Sequence, residues 1–288
     1  MGLSQRDSFF GEIINAAMDD KDIVILSADS GAPAFDQFRK DRPDQWLHMG
    51  ISEANMISVA AGLALSGKHV YCYAIIPFIT GRCFDQTKVA IALQSLPVTL
   101  VGVGAGMSYD DGGPTHYGVE DIGIMRNLKR IEIWSPWDAE TARETAKDCL
   151  ARSVFRYVRL DRHVLPAVAL LPFTHSTMII GIGAMCQVAC EVALQVGADG
   201  TGWAQNWPLL RSVPAPTDRV ITVEEHFYSG GFGAAMSEWM HDHGDRRPLL
   251  RCAIPDQYEW ENGGRQHLWK RAGLDTPTLV EKIRAWMT

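Results

Sequence analysis

No basic run long enough to track a phosphate backbone occurs in the sequence, and 27 Lys and Arg against 34 Asp and Glu leave a formal net charge of −7. Nucleic acid is thereby disfavoured as a partner. Nor is there an apolar stretch approaching the roughly 18 residues of a membrane span; the most apolar segments, 98–103 and 178–183, have the length of strands. Residues 1–10 carry Arg6 and Asp7 with no apolar core and no small-residue cleavage site, so no secretory signal is read there and the expected location is cytoplasmic. The six cysteines, at 72, 83, 149, 186, 190 and 252, include no CxxC pair. Cys186 and Cys190 fall on one helical face, but a structural zinc usually takes four ligands, and buried thiols are the better reading. His241 and His243 flank Asp242 in a polar stretch that reads as a solvated loop. Internal repeats and low-complexity runs are absent as well.

What the 288 residues do contain is enough apolar material, 47%, to bury a sizeable core. Helix-like and strand-like segments alternate throughout, which predicts an α/β protein of two domains with mostly parallel sheets flanked by helices. In the first, helices are expected at 6–19, 53–66, 84–93, 121–127 and 138–151, the last capped by Asp138. Strands are expected at 23–27, 70–76, 98–103, 131–134 and 155–160. Segment 104–120 is glycine-rich and aperiodic, a long loop of the kind that is functional or disordered. Pro166 and Pro172 frame a linker, placing the domain boundary between 168 and 169. Domain 169–288 then offers strands at 178–183 and 219–223 and helices at 186–196, 233–241 and 277–286. Its stretch 197–218, with Trp and Pro crowded into 203–216, gives no clear element.

Two clusters carry chemistry. In Gly50-Ile51-Ser52-Glu53-Ala54-Asn55-Met56, Glu53 heads a helix that is otherwise small and apolar. It is either a first-turn acid favoured by the helix dipole or a buried carboxyl able to share a proton with a ring nitrogen. In Gly112-Gly113-Pro114-Thr115-His116, followed by Glu120-Asp121, His116 tips a tight loop. It is either an incidental surface histidine or a proton donor near neutral pH.

Together the clusters resemble the thiamine-diphosphate-dependent transketolase family. That family carries a Gly-Ile-x-Glu-x-x-Met segment and, later, Gly-Pro-Thr-His with a nearby Glu-Asp. Between them, Phe78-Ile79-Thr80-Gly81-Arg82-Cys83-Phe84-Asp85-Gln86 is similar to the family's Phe-…-Arg-Ala-Phe-Asp-Gln stretch. Val223-Glu224-Glu225-His226, Gly230-Gly231-Phe232-Gly233 and Ile254-Pro255-Asp256 follow in the family's order. The resemblance spans almost the whole chain and implies a pyrimidine-binding domain followed by a C-terminal domain shortened around 197–218. No Gly-Asp-Gly triplet occurs, the motif through which relatives hold the cofactor's diphosphate and Mg²⁺. The chain therefore resembles the second half of a split enzyme. An N-terminal-section partner would hold the metal, this chain would hold none, and the assembly would be an α2β2 heterotetramer.

By the same resemblance, Glu53 hydrogen-bonds the cofactor's aminopyrimidine and so activates its thiazolium. Phe78 stacks on that ring, with Asp29 and Arg82 beside the cofactor. Arg6 and Arg162 take a phosphate or sulfonate on the substrate, and His116 contacts an oxygen of the donor. Each has an ordinary alternative: a core phenylalanine, a strand-end acid, a solvated arginine. The chain departs from pentose-phosphate enzymes at Gly104 and Gly112, where they carry His and Asp, and at Pro33, where they carry Ser. A less hydroxylated donor is the implication, with Asp111 as a substitute acid. The expected reaction moves a two-carbon ketol or acyl unit between carbonyl compounds. Alternatives are a 2-oxo acid decarboxylase, carboligase or dehydrogenase β-type subunit, and a non-catalytic scaffold.

Overall fold

The structure is a computed structural model and describes residues 2–171, 174, 176–208 and 217–288. Its first part runs α1 (Gln5–Asp19), β1 (Ile23–Ala28), α2 (Asp36–Asp41), β2 (Trp46–Gly50), α3 (Glu53–Leu65), β3 (His69–Ile75), α4 (Ile76–Ile79), α5 (Phe84–Gln86), β4 (Val98–Val103), α6 (Asp121–Met125), β5 (Glu132–Trp134), α7 (Ala139–Ala151) and β6 (Arg156–Leu160). A π-helical stretch, Thr87–Ala92, extends α5. The second part runs β7 (Thr177–Gly181), α8 (Met185–Val196), β8 (Asp199–Gly202), β9 (Gln205–Trp207), β10 (Arg219–Phe227), α9 (Phe232–Asp242), β11 (Leu249–Ile254), α10 (Arg265–Ala272) and α11 (Thr276–Met287).

Strands β1, β4 and β6 are buried along their whole length, because a parallel sheet covered by helices has no solvent face. Alternation then divides their side chains: Val24, Leu26 and Ala28 enter one core, Ile23 and Ile25 the other. On one face, α1 packs along α7 around Phe9, Phe10 and Ile13. On the other, α3 packs against a core that continues into Met178, Ile180 and Val220 of the second sheet and Phe232 of α9. Local signals set the helix ends: Ser4 accepts the Asp7 N–H at 3.1 Å, and Asp138 forms a capping box with Thr141.

The first sheet has the order β2-β1-β3-β4-β6-β5-β9 and is parallel except for β9; the second, β11-β10-β7-β8, is parallel throughout. The expected α/β class with mostly parallel sheets is what the chain adopts. Between Leu160 and Thr177 no helix or strand occurs among the described residues, and Pro172 of the expected linker lies outside them.

Two expectations need correction, and one strand went unread. The stretch 197–218 is not without elements: it forms β8 and β9, although residues 209–216 of the Trp- and Pro-rich tract lie outside the described set. Gly202 is a close-approach residue, since a Cβ there would lie 2.5 Å from the Trp137 ring and 2.7 Å from Cys186 Sγ. β9 then crosses back to pair antiparallel with β5. β2 is a further strand, partly exposed at the sheet edge, where no apolar run marks it. Finally, His241 belongs to the last turn of α9, and His243 stacks on Trp239 at 4.2 Å. All six cysteines are free and buried.

Glu224 is buried in β10 and accepts the Phe232 and Gly233 N–H groups at 2.6 and 2.8 Å at the head of α9. Burial nevertheless pushes its carboxyl up to about 7. Between the ordinary value of 4.5 and about 7, the folded chain thus keeps a proton that the unfolded chain has released. The associated stabilisation, about 3 kcal/mol at most, is full at low pH and fades as pH rises through that window. Thermal melts from about pH 5 to about pH 8 should show the wild type losing Tm relative to Glu224→Gln; parallel curves would contradict this assignment.

Candidate active site

Apart from Arg6, every predicted site residue follows the carboxyl end of a parallel strand. Asp29 follows β1, Glu53 follows β2, Phe78 and Arg82 follow β3, Asp111 and His116 lie in the loop after β4, and Arg162 follows β6. The strand order reverses between β1 and β3, where an open parallel sheet leaves a crevice at that edge. Arg6 joins from the first turn of α1, where neighbouring Gln5 accepts the Asp161 N–H at 2.8 Å.

Glu53, the first residue of α3, has a side chain only 5% exposed. Its Oε2 accepts from Arg82 Nη1 at 3.0 Å, and among the described residues no side-chain or backbone donor engages Oε1. The Arg82 guanidinium lies 4.0 Å from the Phe78 ring centroid, and Phe78 meets His116 edge-on at 5.3 Å. His116 Nδ1 shares a 2.9 Å hydrogen bond with Thr115 Oγ1. Beyond it stands the Tyr109 ring at 6.1 Å, with Arg162 4.8 Å above that ring and bonded to Asp111 Oδ1 at 2.7 Å. One continuous series of contacts therefore links Glu53 to Asp111. Arg6 pairs with Asp7 at 2.9 Å. Asp29 is exposed and makes no side-chain bond to the described residues.

The electrostatics follow from these neighbours. Arg162's hydrogen bond holds the Asp111 carboxyl below its ordinary value. Burial lifts the Tyr109 phenol, against the pull of Arg162 and Arg6. Burial, helped by the Glu53 charge, pushes the Cys83 thiol up to about 12, which keeps it a thiol. A buried carboxylate with one oxygen committed and one open, beside an aromatic ring, suits a flat nitrogen heterocycle that can share a proton. Among the described residues no group of three or more His, Cys, Asp or Glu could hold a metal ion.

Two glycines of the loop are explained by their neighbours. A Cβ at Gly104 would lie 2.4 Å from the Tyr109 ring, and one at Gly112 would lie 2.9 Å from the His116 Cβ. Tyr109 thus fills the space that a side chain at 104 would need, and sequence reasoning passed over it. It also passed over Arg159, which binds Asp121 in a buried bidentate pair at 2.7 and 3.1 Å. The signal was available: a charge inside a strand of apolar neighbours must have a partner.

Residues 3–167 match the family described as the transketolase pyrimidine binding domain. The chain belongs to that family. An apulose-4-phosphate transketolase subunit from Phocaeicola vulgatus is 30% identical to it, over 94% of this chain and 93% of the relative. A 6-deoxy-6-sulfo-D-fructose transketolase subunit from a Clostridium species is 29% identical, over 96% and 92%. A solved structure described as a split gene transketolase, inactive β4 tetramer, superimposes with a TM-score of 0.84 at 24% identity, covering 99% of this chain and 98% of that one, and so shares its fold. The motif resemblance and the comparisons agree on the C-terminal section of a split transketolase-like protein.

Gly104→Ala should force the Tyr109 ring off Arg162 and, because Gly104 has φ +101°, strain the backbone as well. A loss of about 2–4 kcal/mol in urea unfolding is expected, and a neutral variant would show that the ring moves freely.

Proposed function

We propose that this chain is the pyrimidine-binding and C-terminal half, residues 1–168 and 169–288, of a two-component thiamine-diphosphate-dependent transketolase-like enzyme. It transfers a two-carbon ketol or acyl unit between carbonyl compounds. The observation that carries this reading is the buried Glu53 carboxylate, open at Oε1 among the described residues and linked through Arg82 to the Phe78 ring. Bound thiamine diphosphate supplies the nucleophilic carbon for carbon–carbon bond transfer. Glu53 holds the proton shared with the aminopyrimidine nitrogen, and Arg82 keeps the other carboxylate oxygen in place. Phe78 offers the stacking face and Asp29 borders the ring.

At the donor end, His116 contacts a carbonyl or hydroxyl oxygen, oriented by Thr115. Arg6 and Arg162 receive an anionic tail, for which a guanidinium fork suits phosphate or sulfonate. The names of the relatives, one a sugar phosphate enzyme and one a sulfonated sugar enzyme, support that class. Asp111, exposed beside Arg162, is the acid that stands in for the one missing at Gly112 and contacts the substrate. The cofactor's diphosphate and its Mg²⁺ fall to a partner carrying the Gly-Asp-Gly domain, in an α2β2 assembly. Relatives that are themselves named as transketolase subunits, matched over nearly their whole length, support the split arrangement.

Calorimetric titration of thiamine diphosphate with Mg²⁺ should show binding to the reconstituted pair and little to this chain alone. In that pair, Glu53→Gln should leave assembly intact and lower turnover by at least about 100-fold. Undiminished turnover would remove Glu53 from the mechanism, and no binding to the pair would overturn the reading.

A further inference from the structure

Arg265 opens α10 in the C-terminal part, yet it is buried between two loops of the first part, at 9% exposure. Its Nη1 lies 2.7 Å from Asp161 Oδ2, and its Nε and Nη2 both reach the Glu225 carboxylate. The Arg265 backbone N–H donates to Asp110 Oδ2 at 2.9 Å. Glu225 also accepts the Met107 N–H at 3.2 Å, and a Cβ on Gly106 would come within 2.4 Å of its Oε2. The loop backbone thus rests directly on this carboxylate. Asp161 accepts the His163 N–H at 2.8 Å, and the His163 ring returns to the Ser108 carbonyl at 2.9 Å. Arg265 therefore joins segment 105–110, which leads to His116, through its backbone N–H, its Nη2 bond to the Ala105 carbonyl at 3.4 Å and the Glu225 carboxylate, to segment 161–163, which contains Arg162.

The apolar side chains of the same loop point to the same dependence. Met107, Tyr117 and Val119 belong to the core built by Ile179, Val223, Ile254 and Leu268, not to either core of the first sheet's own helices. The Val119 carbonyl accepts the Phe227 N–H at 2.9 Å, and Gly123 donates to His226 Nε2 at 3.2 Å. The loop after β4 thus rests on both parts: Gly104, Ala105, Tyr109 and Gly118 contact the first, while Met107, Tyr117 and Val119 are buried in the C-terminal core.

We propose that Arg265 is a positioning residue through which the C-terminal unit sets the placement of the His116 loop and of Arg162. The placement itself follows from the contacts above; its catalytic consequence rests on the proposed function.

Hydrogen exchange on the full chain tests the placement without cofactor or partner. In Arg265→Gln, amides of 105–110, Met107 above all, should exchange at least about tenfold faster, while strands 177–181 and 219–223 keep their protection. Arg265→Lys should restore part of the effect. Should Arg265→Gln fail to fold, Asp110→Ala decides, since it cuts the loop from α10 and leaves the buried ion cluster intact; it should accelerate the same amides by a smaller factor. In the reconstituted enzyme, Asp110→Ala should raise the donor KM several-fold with kcat within about twofold. Unchanged exchange at 105–110 in a folded variant, or acceleration spread equally over the second sheet, overturns the proposal. Faster exchange at 105–110 in a chain whose reconstituted pair binds no thiamine diphosphate would support the placement and sink the proposed function instead.

Discussion

The buried pair of Arg159 and Asp121 is the constraint from which the rest of the site is hung. Asp121 begins α6 and Arg159 lies in β6; their bidentate contact is joined by the Tyr157 hydroxyl at 2.6 Å and by the Gly118 carbonyl at 3.0 Å. An ion pair so deeply buried adds little net stability, because desolvation offsets much of the attraction, but it permits few alternative placements. Here it fixes the far end of a loop whose apolar side chains, Met107, Tyr117 and Val119, are anchored in the C-terminal core. With that end held, the bridge between Gly106 and Gly118 closes the loop's base, and Met107 and Tyr117 just inside it are buried against that core.

Local charge balance is the second theme. Arg6 faces Asp7, Arg82 faces Glu53, and Arg162 faces Asp111. Each cation at the carboxyl edge of the sheet already has an anion beside it, so an incoming charged ligand exchanges partners and does not have to neutralise a bare charge. The three pairs differ in burial of the acid, from Glu53 at 5% to Asp111 at 72% exposed. That gradient makes the Glu53 end the rigid one and the Asp111 end the exchangeable one.

Much of this was legible in the sequence where a pattern is local. Apolar runs marked β1 and β4, the Asp138 cap marked α7, and the ordered motifs around Glu53 and Gly113-Pro114-Thr115-His116 marked the family. What escaped depends on contacts distant in sequence. β8 is built around glycines that let it approach Trp137 and Cys186, and glycine in a sequence reads as a turn. β2 is a half-exposed edge whose apolar residues, Trp46, Leu47 and Met49, are interrupted by His48 and too few to read as a strand. Tyr109 looks like a surface residue until it is laid against the first-sheet core and Arg162, and Arg265 until α10 is laid against the loop between β4 and α6.

The return of β9 to the edge of the first sheet bears on how such chains can be recombined. A crossover after the last parallel strand of the first sheet would transplant everything downstream as though it were a separable module. In space, the seam runs elsewhere: Trp207 sits opposite Ile133 and Gln205 opposite Trp134, so the incoming segment supplies the first sheet with its outermost strand. An exchanged C-terminal part must therefore match that edge in twist and register, or leave the β5 backbone open to pairing with another molecule. Shuffling between relatives is limited by strand complementarity at this seam as well as by the loops that surround the site.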